Sequence, residues 1–132
     1  MDQITVETDL FEHREVKPHF LNPCCFGEDF AAWMKSELAR FPDLAFEFSE
    51  LIQEDYGWGL WASRGKDRFW LALSYVGSGP QEGPVPWIIS VNYDPSLNIM
   101  KRLFHKHDEQ ALGQLRDRVR QILTSNGAIR VI

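Results

Sequence analysis

Cysteine is almost missing from this chain: two residues in 132, Cys24 and Cys25, side by side. Their Cα atoms lie about 3.8 Å apart across a trans peptide. A relaxed disulfide needs roughly 4.4–6.8 Å. A bridge between them would be strained, so the expectation is two buried free cysteines and no disulfide framework, as in a reducing cytosol. No Cys-x-x-Cys spacing occurs, and no helix follows at once to lower a thiol pKa. No apolar run is long enough to span a membrane. The first seven residues, MDQITVE, show no basic segment leading into an apolar one, so no signal peptide or lipidation motif is expected. Bases are also scarce. Fourteen Lys and Arg against 19 Asp and Glu leave a net charge of −5 and a pI near 5.3. That sign disfavours a phosphate backbone or an anionic membrane surface as the partner. Phosphate-loop, Gly-x-Gly-x-x-Gly, Gly-x-Ser-x-Gly, His-Glu-x-x-His and EF-hand motifs are all lacking. There is no repeat of 20–50 residues and no low-complexity linker.

The composition is that of a packed domain, 44% hydrophobic and 25% charged, and the length fits one domain over residues 1–132. The charge is uneven. Residues 1–66 carry −7 and residues 67–132 carry +2. An acidic half attracts a basic partner and speeds its encounter.

Residues 4–11 alternate and read as a first strand. Residues 13–26, with Pro18 and Pro23, read as irregular. Residues 28–41 form a helix with Phe30, Trp33, Met34, Leu38 and Phe41 on one stripe, stopped by Pro42. Residues 45–52 alternate, placing Phe46, Phe48 and Ile52 on one face. Residues 56–63 and 68–76 are aromatic and joined by Arg64-Gly65-Lys66-Asp67, a hairpin turn. That register sets Trp61 opposite Trp70 and Tyr56 opposite Tyr75. Residues 77–86, with three glycines and three prolines, form an exposed loop. Strands follow at 87–93 and 99–104. Asp108 caps a second helix reaching about residue 125, with Leu112, Leu115, Val119, Ile122 and Leu123 as its stripe. Residues 129–132 suit a short last strand. The order β-α-β-β-β-β-β-α, with or without that strand, predicts an α+β two-layer sandwich. Two amphipathic helices cover one face of a mainly antiparallel five- to six-stranded sheet, and the other face stays partly open.

Function is sought on that open face. The densest segment is Glu54-Asp55-Tyr56-Gly57-Trp58-Gly59-Leu60-Trp61. Its alternating glycines let a backbone, a ring or a ligand come close. Trp58 and Trp61 differ in parity, so one is buried and the other more exposed. With Trp70 and Trp87 they offer the residue types that dominate binding hot spots, although sheet packing alone also uses such rings. Glu50, Glu54 and Asp55 beside them suit a basic partner better than acid–base catalysis, for which the spacing matches no template. His105 and His107 point the same way on an extended segment but lack a third spaced metal ligand. The plainer reading of them is solvated histidines at a strand-to-helix junction.

In general character the chain resembles small bacterial immunity or inhibitor proteins, single acidic α+β domains without catalytic motifs. That resemblance implies a cytoplasmic protein that binds and neutralises a toxin. The expectation is a non-enzymatic protein-binding domain without cofactor. It would meet a basic protein partner through Glu50, Glu54, Asp55, Tyr56, Trp58, Trp61, Trp70 and Trp87. Asp55→Lys or Trp58→Ala should then weaken binding without unfolding the domain. The alternatives are a small-molecule pocket between the open sheet face and the 77–86 loop, and a metal-dependent enzyme using His105 and His107. Homodimerisation through the sheet edge or face also remains open.

Overall fold

The computed structural model describes residues 3–21, 25–77, 82–93 and 108–132. Its strands are β1 (Gln3–Thr8), β2 (Glu47–Phe48), β3 (Ile52–Glu54), β4 (Gly57–Arg64), β5 (Asp67–Tyr75), β6 (Val85–Tyr93) and β7 (Arg130–Val131). Its helices are α1 (Glu28–Ala39) and α2 (Glu109–Thr124), with a single 3-10 turn at Pro42–Leu44. The seven strands form one sheet in the order β2-β4-β5-β6-β1-β7, with β3 also on β4. Every pairing is antiparallel. This is the α+β sandwich expected from the sequence, with seven described strands rather than five or six.

The centre of the sheet is a hairpin. Gly65 and Lys66 connect Arg64 to its partner Asp67, and Gly65 takes the positive φ of 62° that such two-residue turns demand. Trp61 stands opposite Trp70 as expected. Tyr56 does not meet Tyr75, because the ladder closes at Trp58 opposite Leu73. Tyr75 instead packs 5.3 Å from Trp87 and 5.7 Å from Phe26.

Parity divides the sheet. Leu60 and Ala62 of β4, Phe69, Leu71 and Leu73 of β5, Trp87, Ile89 and Val91 of β6, and Ile4 and Val6 of β1 turn to the side where the helices pack. Phe30, Ala31, Met34 and Leu38 of α1 close over them, with Leu112, Leu115, Val119, Ile122 and Leu123 of α2. The Asp108 carboxylate accepts from the Ala111 N–H at 3.0 Å, the predicted cap. Thr8, buried among these apolar groups, donates its hydroxyl to the Ala128 carbonyl at 2.8 Å and so ties the C-terminal segment to β1.

Several bounds change, and β1 ends at Thr8, short of the Phe11 expected. Helix α1 ends at Ala39, before Phe41, and Arg40 becomes its cap, reaching back to Glu37 at 3.2 Å. Val85 and Pro86 belong to β6, not to the preceding loop. Residues 45–52 are not one strand. Phe48 pairs with Ala62 but Ile52 pairs with Gly59, so residues 49–51 oppose only two residues of β4. That is a β-bulge, and it reverses parity. Phe48 stays on the helix-covered side, Leu51 also packs against the core, and Ile52 turns to the opposite face.

Candidate functional site

The face away from the helices is built from the alternate residues of the same strands. It carries Trp61 from β4, Arg68, Trp70, Ala72 and Ser74 from β5, Ile88, Ser90 and Asn92 from β6, and Ile52 and Glu54 from β3. Gly59 sits among them opposite Ala72. A Cβ there would lie 2.3 Å from Trp70 Cζ2 and 2.7 Å from the Leu71 carbonyl oxygen. The glycine therefore exists to receive the Trp70 ring. Of the three close approaches the sequence allowed at this position, the structure uses that of a ring.

Trp70 is held from three sides. Gly59 lies beneath it. Trp61 is 4.7 Å away between ring centroids, inclined at 55°. Its indole Nε1 donates to the Tyr56 hydroxyl at 2.7 Å. Tyr56 and Asp55 are the two loop residues between Glu54 and Gly57, so the phenol folds back from a hairpin tip over the sheet. Burial pushes the Tyr56 phenol above its ordinary value, against the opposing pull of the Trp70 N–H. At the far end the Arg68 guanidinium lies 4.1 Å over the Trp61 ring. The result is a ridge running Arg68, Trp61, Trp70, Tyr56.

Beside the ridge lies an open trough of about 700 Å³. Its floor is short side chains in register, Ala72 opposite Ser90 and Ser74 opposite Ile88, with Asn92 opposite Trp70. Asp55, Tyr56 and Trp70 stand at its ridge side. Arg116 of α2 reaches the sheet from the helix side, donating Nε to the Val91 carbonyl at 2.9 Å and Nη2 to Asn92 Oδ1 at 3.3 Å.

The structure separates the residues singled out in the sequence. Tyr56, 49% exposed, stands with Trp61, Trp70, Asp55 and Glu54 on or beside the open face. Glu50 is exposed in the bulge at the sheet edge. Trp58, 6% exposed, lies on the covered side, donates Nε1 to the Cys25 carbonyl at 2.8 Å and packs against Phe20. Trp87 is fully buried against Phe30, Phe11 and Tyr75. Both rings face the helices and belong to the core, so Trp58→Ala would perturb that core. Cys25 is half of a disulfide, not the free thiol expected. Its sulfur, lacking a proton, makes a close contact of 2.9 Å with the Asp55 carbonyl. Cys24, His105, His107 and the strand expected at 99–104 lie outside the described residues.

A second pocket, of about 330 Å³, opens at the start of α1. Asp29 accepts there from the Glu12 N–H at 2.7 Å and the Phe30 N–H at 2.9 Å, while partial burial still pushes its carboxyl upward. Glu12 accepts in turn from the Arg14 and Glu15 N–H groups, which lower its pKa. His19 meets Glu28 at 2.6 Å, and buried His13 contacts the Phe11 carbonyl at 3.1 Å. No sequence spacing announced this cluster, because its members meet through an irregular loop. Its carboxylates are occupied in holding that loop. Among the described residues no group of three or more His, Cys, Asp or Glu is placed to hold a metal. No described helix is long and apolar enough to cross a membrane.

No protein-family model, no curated protein and no solved structure matches this chain.

Proposed function

We propose that this chain is a non-enzymatic binding domain that meets a basic protein partner with its open sheet face. The observation that carries the proposal is the ridge Trp61–Trp70–Tyr56, placed on the face that neither helix covers and bordered by Glu54 and Asp55. Rings of this kind supply buried contact area, and carboxylates at the border steer a basic surface toward them. The acidic first half supports the same sign of partner, since it contributes this border and the edge residues Glu47 and Glu50. A cytoplasmic inhibitor of the immunity type would use such a face.

The test is recovery of the tagged full chain from its own cells at low salt. One basic protein at near-equal stoichiometry is expected, released at high salt and lost with Asp55→Lys. A partner retained equally by Asp55→Lys would remove this face from the interaction. The trough volume, about 700 Å³, lies in the range of small-molecule sites and favours a second reading as a ligand-binding domain. A small molecule retained in the native mass spectrum, with no protein partner, would replace the first reading with the second.

A further inference from the structure

We propose that Asn126-Gly127 is a self-modification site, where the chain converts its own asparagine to aspartate and isoaspartate through a cyclic imide, and that isoaspartate there loosens β7 from β1. The proposal is independent of the open sheet face. The chain has four asparagines, and the residues that follow them are Pro23, Tyr93, Ile99 and Gly127. The reaction needs the backbone nitrogen of the following residue to attack the side-chain amide carbon. Proline has no N–H to give up, and tyrosine and the β-branched isoleucine crowd the nitrogen. Glycine leaves it bare.

The fold presents this pair rather than protecting it. Helix α2 ends at Thr124 with Ser125 as its cap, so both residues lie beyond the helix. Residues 126–129 form a β-turn, closed by the Ile129 N–H on the Asn126 carbonyl at 3.0 Å. Gly127 stands at the second position, where its N–H takes no part in that bond. The Ala128 N–H donates to Asn126 Oδ1 at 2.9 Å. That bond folds the side-chain amide forward along the chain and draws electron density from its carbon. Gly127 is exposed, and the pair borders an open surface pocket of about 460 Å³. The φ of Gly127 is not positive, and among the described residues a Cβ there would meet nothing within 4 Å. The turn itself therefore does not demand glycine.

The steps balance with water as the one co-reactant. The Gly127 nitrogen bonds to Asn126 Cγ, the bond from Cγ to Nδ2 breaks, and ammonia leaves with the Gly127 proton. Water then opens the imide at either carbonyl. Opening at Cγ gives aspartate, whose Oδ1 still accepts from Ala128. Opening at the backbone carbonyl gives isoaspartate, whose main chain gains a methylene and shifts both acceptors of the turn. That turn leads directly into β7. Downstream of it the Ala128 carbonyl takes the Thr8 hydroxyl at 2.8 Å, and the Ile132 N–H bonds the Thr5 carbonyl at 2.9 Å.

The experiment incubates the full-length protein at mildly alkaline pH and follows the tryptic peptide of residues 121–130, in which Asn126 is the one asparagine. The mass gain of amide-to-acid exchange should accumulate there at least about tenfold faster than at Asn22, Asn92 or Asn98. Part of the product should resist a protease that cleaves before aspartate, which marks isoaspartate. Gly127→Ala should slow the exchange about tenfold and leave the urea midpoint nearly unchanged. Amide hydrogen exchange at Ile132 should speed up in the isoaspartate form. Equal rates at the four asparagines, or an unchanged rate in Gly127→Ala, overturns the site. A native rate more than about tenfold below that of the same chain unfolded in urea means that the turn protects the pair, and overturns it too. Unchanged exchange at Ile132 overturns the loosening of β7.

Discussion

Trp87 and Trp70 occupy neighbouring central strands of one sheet and have opposite fates. Trp87 faces the helices, is fully buried and touches Phe11, Phe30 and Tyr75. Trp70 faces away from them and is 8% exposed, yet neither described helix covers it. Its burial comes from a glycine beneath it, a tryptophan beside it and a tyrosine hydroxyl at its edge. The covered face is sealed by side chains from other layers, so its energy is that of a core. The open face shelters its rings with residues of the sheet itself and leaves the neighbouring floor small and polar. Among the described residues, the open face thus hides its largest ring with the sheet's own side chains rather than with a helix.

The widest gap between the faces should appear in stability. Trp87→Ala removes a ring buried on all sides and should cost about 3–5 kcal/mol. Trp61→Ala, at a partly exposed ring that packs on Trp70 and under the exposed Arg68, should cost less, about 1–3 kcal/mol. Urea unfolding of the two variants measures the difference. Equal losses would mean that the open face is a second core. Trp61→Ala should also be the variant that loses the partner while staying folded.

The next contrast is within the open face. Gly59→Ala places a methyl group where the Trp70 ring lies, 2.3 Å from Cζ2, with the Leu71 carbonyl only 2.7 Å away. Neither neighbour is the loose end of a flexible chain. The substitution should cost about 1–3 kcal/mol as overpacking. It should also shift the Trp70 indole resonance by disturbing the bond to Tyr56. Gly113→Ala is the control, since a Cβ there meets nothing within 4 Å and lies in a helix that alanine favours. If the two variants were equally stable, Gly59 would not be the seat of the ring.

Much of this division was legible in residue order. The hairpin register follows from the short turn at Gly65, and with it the Trp61–Trp70 pair. Opposite parity assigned Trp58 and Trp61 to different faces. The stripes and the Asp108 cap placed both helices. What parity cannot state is which face the helices choose; packing against Phe20 and Phe30 puts Trp58 and Trp87 inside. The bulge was hidden for a different reason. Ser49 Oγ accepts from the Trp61 N–H at 2.8 Å and donates to the Glu50 carbonyl at 2.8 Å, so a side chain enters the ladder in place of a backbone group. Nothing in an alternating run of residues signals that exchange. It is nonetheless what turns Ile52 toward Trp70 and Leu51 toward the core.

The smallest contrast lies between Tyr56 and Tyr93, two of the three phenols that line the trough. Both are raised by burial, and Tyr93, beside the Glu109 carboxylate, is pushed up to about 12 from an ordinary value of 10.0. A phenol whose folded pKa is raised holds its proton more tightly folded than unfolded. Its contribution to stability is complete below the unfolded pKa and is lost as pH rises through the folded one. For Tyr93 that window runs from 10.0 to about 12, and stability should fall across it. Phenolate absorbance should show Tyr56 ionising before Tyr93, and Tyr93→Phe should flatten the alkaline fall in stability while leaving the neutral value nearly unchanged. An unchanged alkaline slope in Tyr93→Phe would assign the loss elsewhere. If Tyr93 ionised with Tyr56, the end of β6 would be as open to water as the hairpin tip.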